Sequence, residues 1–477
     1  MNRADRLSDF YRTLKPQPLL ESPEFEAFYR AELNAVRGTD KVALMKLGLE
    51  RAHGGSPYKA LLMGHSGVGK STEVTRLTRE IASRYRAIRF SVATDLDPVS
   101  FQPFDVLLLM IAEIAERTAR PVAEGGSGRK PSDEPLRQVW DWFGAEEEVV
   151  KRATQVSAEI AAGAGLPADS WWAKALGLFA SVKGEMKYAS VREKKTVTYR
   201  LSRLSDLIAA ANKLIQQCNQ ALRQETGHEW LFVGEDFDKA GVSPKQVEEF
   251  FLSYSNALQE LDAHLVFNIP VALGYSERAA QLPVAPNLII TIPDTMVFRP
   301  DHSPSPEGRT AIQAVLEARV NPARFAPGQM ERLIVASGGN LRDLFSLTNA
   351  AADLAILRGE PAEGQVKTED ADRAIAELRS DYERRLGQSS FDLEVTVGPK
   401  KEPITYEMKA DRLLRIYRQE PTAKIPDPVL HSLLRARAVQ EFNAERWFGV
   451  HPLVVDILAS QGKIKRPKQG PVPGGTQ

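Results

Sequence analysis

The sequence predicts an α/β fold: a parallel sheet with helices on both faces, then an all-helical unit and a small C-terminal unit. Three observations predict it. From Lys59 onward, short apolar runs alternate with stretches of helical spacing, the β-α-β-α order of a helix-covered parallel sheet. A glycine-rich octet, Gly64-His65-Ser66-Gly67-Val68-Gly69-Lys70-Ser71, lies between the first such run and the first such helix. From about residue 308 the strand signals stop and helical spacing takes over.

Length and composition bound the answer. The chain has 477 residues, enough for about three domains at roughly 150 residues each. Its 62 basic and 62 acidic residues cancel, so nothing in the overall charge demands nucleic acid or a membrane surface. A single cysteine, Cys218, excludes a disulfide framework and a cysteine-rich metal site and fits a reducing compartment. Met1-Asn2-Arg3-Ala4-Asp5-Arg6 leads into no apolar signal core, and the apolar stretch near Ser170–Val182 contains Lys174 and is too short for a membrane span. A soluble, cytoplasmic protein is expected, with no membrane partner.

Residues 1–58 read as a helical lead-in. Phe25, Phe28, Tyr29, Leu33 and Val36 fall on one face of a helix over Glu24–Arg37, and a second helix covers Thr39–Ala52. The core spans 59–307. Its strands are Lys59–Met63, Ala87–Val92, Trp230–Val233, Leu265–Ile269 and Leu288–Ile292, with helices over Ser71–Arg84 and Phe104–Arg117. An insert at about 119–195 breaks the alternation. It opens with Val122–Pro135, a flexible linker by composition, and carries Trp171-Trp172, read as a satellite core or a partner surface.

Lys195–Arg223 reads as one long helix. Val197, Leu201, Leu204, Ile208, Ala211, Ile215, Cys218 and Leu222 form a heptad-like seam. It packs on the core or on a partner, and Cys218 on it reads as inert. Ser243-Pro244-Lys245-Gln246 is a capped helix start. A helical lid is expected over 308–386 and a linker over 387–404. In 405–460, two helices precede a hairpin around Asn443-Ala444-Glu445, the order of a winged helix. A disordered basic tail occupies 461–477.

The octet fits G-x-x-x-x-G-K-[ST], the phosphate-binding P-loop or Walker A motif, in its required strand-to-helix context. Its glycines let backbone N–H groups curl around an anion. The helix N-terminus adds positive partial charge. ATP is therefore the expected ligand, held by Gly64, His65, Ser66, Gly67, Val68, Gly69, Lys70, Ser71 and Thr72. Lys70 reaches the β- and γ-phosphates, Ser71 ligates Mg²⁺, and Thr72 follows toward the α-phosphate.

Such a site needs a carboxylate at the end of a neighbouring strand. Leu231-Phe232-Val233-Gly234-Glu235-Asp236-Phe237-Asp238 runs from apolar into acidic residues. In one register Glu235 holds the metal and Asp236 polarises the attacking water; in the other Asp236 holds the metal. An acidic turn that caps the strand is the plain alternative. Gly234 stands where a fourth hydrophobic is usual, which leaves slow hydrolysis or a nucleotide-holding switch open. Asn268 ends its strand either as a cap or as an amide beside the lytic water. In Ser337-Gly338-Gly339-Asn340-Leu341-Arg342-Asp343-Leu344, the glycines end one helix, Asn340 caps the next, and Arg342 sits in its first turn. It is either a surface arginine or one that reaches the γ-phosphate.

These motifs, in this order, resemble those of AAA+ and STAND ATPases, most of all the origin-recognition-like branch. The resemblance covers about 40–460, with the insert unmatched. It implies that Asn268 acts as sensor 1, that Arg342 acts as sensor 2, and that an arginine finger, for which Arg278 and Arg299 are candidates, completes the site in a homo-oligomer. It implies an ATPase that couples nucleotide state to oligomerisation or to a partner protein, in the manner of bacterial defence switches. A DNA-binding initiator, loader or transposition regulator is the second reading. A nucleotide-holding scaffold is the third. Residues 405–477 carry a net charge of +5, which suits phosphate contacts, but Val429, Leu430, Leu433 and Leu434 offer little to base edges.

Overall fold

The computed structural model describes residues 2–465 apart from 145, 165–166, 168–169, 390–391, 393, 398–399 and 443–446. The Asn443-Ala444-Glu445 turn and the tail from 466 onward lie outside the described residues. Among the described residues, no helix is long and apolar enough to cross a membrane.

All five expected core strands are present: β1 (Lys59–Met63), β2 (Tyr85–Ser91), β3 (Glu229–Glu235), β4 (His264–Asn268) and β5 (Ile289–Thr291). They pair in parallel in the order β2-β3-β4-β1-β5. Strand β4 thus lies between the strand that feeds the glycine loop and the strand that ends in acids. Side chains alternate across the sheet. Ala60 and Leu62 pack with Val42, Met45, Leu49, Val74 and Leu77 on one face. Leu61 and Met63 join Ile88, Phe90, Phe232 and Phe267 on the other. The fold is therefore a P-loop sheet with helices on both faces.

The stretch expected as one helix over Glu24–Arg37 forms two, Ser22–Phe28 and Glu32–Val36, and the second expected helix is present as Lys41–Ala52. The chain turns extended at Tyr29, with ψ 137°. The turn aims the Tyr29 hydroxyl at Glu73, 3.2 Å away, and Arg30 Nη1 donates to the Tyr29 carbonyl at 2.7 Å. The long helix is also divided, into Lys194–Ser202 and Leu204–Thr226. Arg203 at the break exchanges hydrogen bonds with Trp142: its Nη1 donates to the Trp142 carbonyl at 2.7 Å, and Trp142 Nε1 donates to the Arg203 carbonyl at 2.9 Å. The seam itself packs on Pro103–Ala119 and is buried from Leu204 to Leu222, while Val197 and Leu201 are half-buried. Burial pushes the Cys218 thiol up to about 12, as expected of an inert core residue.

The insert is helical throughout its regular parts: Asp133–Trp142, Glu147–Ala164 and Trp171–Met186. Part of the expected flexible linker is ordered. Ser127 N donates to the Thr118 carbonyl at 2.9 Å, and the first insert helix begins inside the linker at Asp133. Trp172 joins the main core instead of a satellite core. Trp171 is half-buried, with Lys174 Nζ 4.6 Å above its ring. Arg192 forks onto the buried Asp105 with both contacts at 2.7 Å.

Beyond the sheet, Pro306–Glu317, Gln329–Ala336, Leu341–Leu357 and Thr368–Arg385 form the helical unit. In the stretch read as a linker, β6 (Glu394–Val397) pairs antiparallel with β7 (Lys400–Pro403). The C-terminal unit runs Tyr406–Tyr417, Pro428–Arg435, β8 (Val439–Phe442), β9 (Trp447–Val450) and Pro452–Ser460, in the helix-helix-hairpin order expected. Its β8 is docked on the core, where Asp294 N donates to the Glu441 carbonyl at 2.8 Å.

Candidate functional site

The octet leaves the end of β1 and turns into the helix Lys70–Glu80. Two glycines explain why the turn is possible. Gly64 has φ 146°, and a Cβ there would stand 2.3 Å from the Ile292 carbonyl oxygen. Gly67 has φ 97°, and a Cβ there would stand 2.3 Å from Asn340 Oδ1. Glycine alone fits such approaches.

Buried polar partners brace the loop from behind. Arg37 Nη2 donates to the Val68 carbonyl at 2.9 Å, and its Nε donates to Thr295 Oγ1 at 2.8 Å. His65 Nδ1 lies 2.6 Å from Asp294 Oδ2, both side chains being buried. Burial opposes the Asp294 charge, but His65 and Arg37 outweigh it and hold that carboxyl below its ordinary range.

The SGGNLRDL turn is bonded directly to the loop. Asn340 Nδ2 donates to the Ser66 carbonyl at 2.9 Å, and Leu341 N donates to the Gly67 carbonyl at 3.2 Å. Asn340 Oδ1 meanwhile caps the helix by accepting from Arg342 N and Asp343 N at 3.1 and 3.3 Å. From the C-terminal unit, Arg437 Nη1 reaches Asp343 Oδ1 at 3.1 Å and the Ser66 carbonyl at 3.5 Å. Gln440 Nε2 donates to the Gly338 carbonyl at 2.9 Å. His451 stacks on Tyr382 at 4.2 Å between centroids, and the Tyr382 hydroxyl donates to Asp343 Oδ2 at 2.7 Å.

A cleft of about 130 Å³ brings together Lys70, Ser71, Thr72, Asp236 and Arg342. The lead-in supplies its other wall, through Pro16–Leu19, Phe28–Arg30, Leu33 and Arg37. Glu235 and Asn268 are not among the described residues that line it. Glu235 ends β3 with Oε2 held by Arg89 at 2.7 Å, while Oε1 is buried without a hydrogen-bond partner. Arg89 also donates to Thr75 Oγ1 at 2.8 Å. Asp236 has φ 67° and accepts from Ser91 Oγ at 2.6 Å. Asn268 is buried at the end of β4 with Oδ1 unpartnered. Arg342 has no side-chain bond to any described residue. Arg278 contacts Gln281 and Ser253. Arg299 pairs with Glu307 and lines a separate cavity against the C-terminal unit.

Two residues escaped the sequence reading. Asp238 Oδ2 lies 2.7 Å from Lys70 Nζ; it belongs to the same acidic cluster, two positions past Asp236, and its spacing drew attention to the earlier pair. Arg437 carries no signal in sequence, because its role depends on how the C-terminal unit docks.

No protein-family model matches the chain, and no curated protein matches it. Among solved structures it is similar to the Orc1 protein of Aeropyrum pernix in complex with DNA, at 14% identity over 90% of this chain and 97% of that one, with a TM-score of 0.34. It is similar to the Aeropyrum pernix Orc2 protein in its ADPNP-ADP complexes, at 13% identity over 88% and 93%, with a TM-score of 0.38. It is also similar to the Walker-type ATPase PABY2304 of Pyrococcus abyssi, at 13% identity over 94% and 99%, with a TM-score of 0.34. Likeness this distant leaves the function to the geometry of the site.

Proposed function

We propose that the chain binds ATP with Mg²⁺ at the Gly64–Ser71 loop, hydrolyses it, and uses the nucleotide state to control its own assembly or a partner protein. It acts as an AAA+/STAND-type switch in this reading, with a bacterial defence system as the setting that the motif resemblance suggests. One observation carries the proposal. The Ser66 carbonyl accepts from Asn340 of the helical unit at 2.9 Å and from Arg437 of the C-terminal unit at 3.5 Å. A phosphate chain that reshapes this loop therefore bears on both units at one atom.

Roles follow from placement. Loop N–H groups and Lys70 bind the phosphates. Ser71 and Glu235 would hold Mg²⁺, which when bound would neutralise phosphate charge. The unpartnered Glu235 Oε1 suits a hard cation, although Arg89 already engages the other oxygen. Asp236, on the cleft wall, orients and deprotonates water; Asn268 assists from β4, and Arg342 meets the γ-phosphate. The Arg89 pair favours slow turnover, so the scaffold reading differs only in rate.

DNA binding through the C-terminal unit draws less support. In Pro428–Arg435, Val429, Leu430, His431, Ser432, Leu433 and Leu434 are all buried, which leaves that helix little to offer a groove.

The test is nucleotide binding and turnover in the wild-type chain and in Lys70→Ala, with sedimentation in ATP and in ADP and with duplex DNA added. Binding lost in Lys70→Ala and a nucleotide-dependent sedimentation shift are expected. A wild-type chain that binds no nucleotide ends the proposal, and turnover that requires DNA replaces it with the initiator reading.

A further inference from the structure

We infer that Asp238 competes with phosphate for Lys70 and so sets how tightly the cleft holds a nucleotide's phosphate chain. The inference rests on the nucleotide reading above. A lysine ammonium has three protons to donate. Lys70 Nζ meets three acceptors: the Gly64 carbonyl at 2.7 Å, the His65 carbonyl at 3.0 Å and Asp238 Oδ2 at 2.7 Å. The two carbonyls belong to the loop that Lys70 itself closes. Only the carboxylate can leave by a side-chain rotation. A phosphate oxygen that reaches Lys70 must therefore take the place of Asp238.

The pair is partly withdrawn from water, with Lys70 5% and Asp238 14% exposed at the side chain. Its attraction is accordingly less screened than that of a surface pair. Asp236 lines the same cleft, so an incoming polyanion meets a second negative charge. A second contact repeats the arrangement. Thr72 Oγ1, another group expected at the phosphates, accepts from Leu19 N at 3.3 Å. The cleft between these contacts measures about 130 Å³, below the roughly 300–1,000 Å³ of pockets that enclose small ligands. Nucleotide entry requires the Asp238 side chain and the Pro16–Leu19 segment to give way.

The inference predicts an effect that depends on phosphate charge. Asp238→Asn keeps the shape and removes the charge. Calorimetric titration of the full chain should show ADP and ATP bound on the order of 10-fold tighter than in wild type, with adenosine unchanged. The gain should persist in EDTA and vanish when Lys70→Ala is added. Asp238→Ala should show the same direction, which guards against an asparagine-specific effect, and thermal melts confirm folding. Equal or weaker ADP binding in both variants, with wild-type binding still dependent on Lys70, overturns the inference and leaves the nucleotide reading in place. A gain that survives in the Lys70→Ala background, or that extends to adenosine, also overturns it. Absence of nucleotide binding in wild type and variants removes both.

Discussion

Arg437 of the C-terminal unit and Asp343 of the helical unit form a buried ion pair, Nη1 to Oδ1 at 3.1 Å, within reach of the phosphate loop. Asp343 is 4% and Arg437 16% exposed at the side chain. The pair holds the C-terminal unit in register with the turn that carries Arg342.

Arg437→Ala leaves the Asp343 carboxylate buried with Tyr382 as its remaining side-chain partner. Breaking such a pair from one side costs about 3–5 kcal/mol. Chemical denaturation should show this loss, and Asp343→Asn combined with Arg437→Ala should cost less than the sum of the single changes.

Asn340→Ala removes a helix cap and the bond to Ser66 at once. The cap alone is worth about 1 kcal/mol. Stability should fall by at least that amount, and ADP affinity should fall more than a lost cap explains. An affinity unchanged from wild type would separate the turn from the nucleotide site.

Gly339 sits at φ 83°, and a Cβ there would stand 1.8 Å from the Thr295 carbonyl oxygen. Gly339→Ala must push the turn off the segment that follows β5, at Thr295. A stability loss of about 2–3 kcal/mol is expected from the strain and the displaced contact, measured by thermal or urea unfolding.

Asp236→Asn should keep nucleotide binding and lower turnover by about 100-fold, the scale of a lost general base. Glu235→Gln should weaken the Mg²⁺ dependence of binding. Steady-state phosphate release and Mg²⁺ titrations measure these. Turnover unchanged in both variants removes the assignment of the acids.

Burial lowers the His451 pKa from 6.5 to about 4, with Asp343 and the Ser337 carbonyl opposing the shift. A histidine buried neutral contributes stability that is fully present above pH 6.5. Below that the unfolded chain takes up the proton first, so stability falls as pH drops from 6.5 toward 4, by about 1.4 kcal/mol per pH unit for one such group. His431, lowered to about 4 in the same way, adds to the slope. His451→Phe keeps the stack on Tyr382 and should flatten the pH dependence between those limits. A slope identical to wild type would place the titration elsewhere.

Local signals were legible in the sequence, and long-range ones were not. The strand, glycine octet and helix from Lys59 to Glu80 depend on near neighbours, and they appear as expected. So do the Asn340 cap and the Ser243 cap, which accepts from Gln246 N. The helix breaks at Tyr29 and Arg203 had no local cause, because each is set by a distant partner, Glu73 and Trp142. The strand order, the docking of β8 beside Asp294, and the meeting of Asp238 with Lys70 have the same origin. Among the acids, sequence placed the cluster on the right strand end, but only side-chain packing distinguishes Glu235 beside Arg89, Asp236 beside Ser91 and Asp238 beside Lys70.

The insert has a consequence for anyone wishing to trim the chain. Arg192 pairs with Asp105 in the first turn of the core helix Pro103–Ala119, and Trp142 trades hydrogen bonds with Arg203 at the head of Leu204–Thr226. These helices are thus not a detachable cassette. Excising residues 133–202 would strand the Asp105 carboxylate and uncover the outer faces of Pro103–Ala119 and Leu204–Thr226. A shortened chain needs Asp105 replaced by a neutral residue before it can be expected to fold.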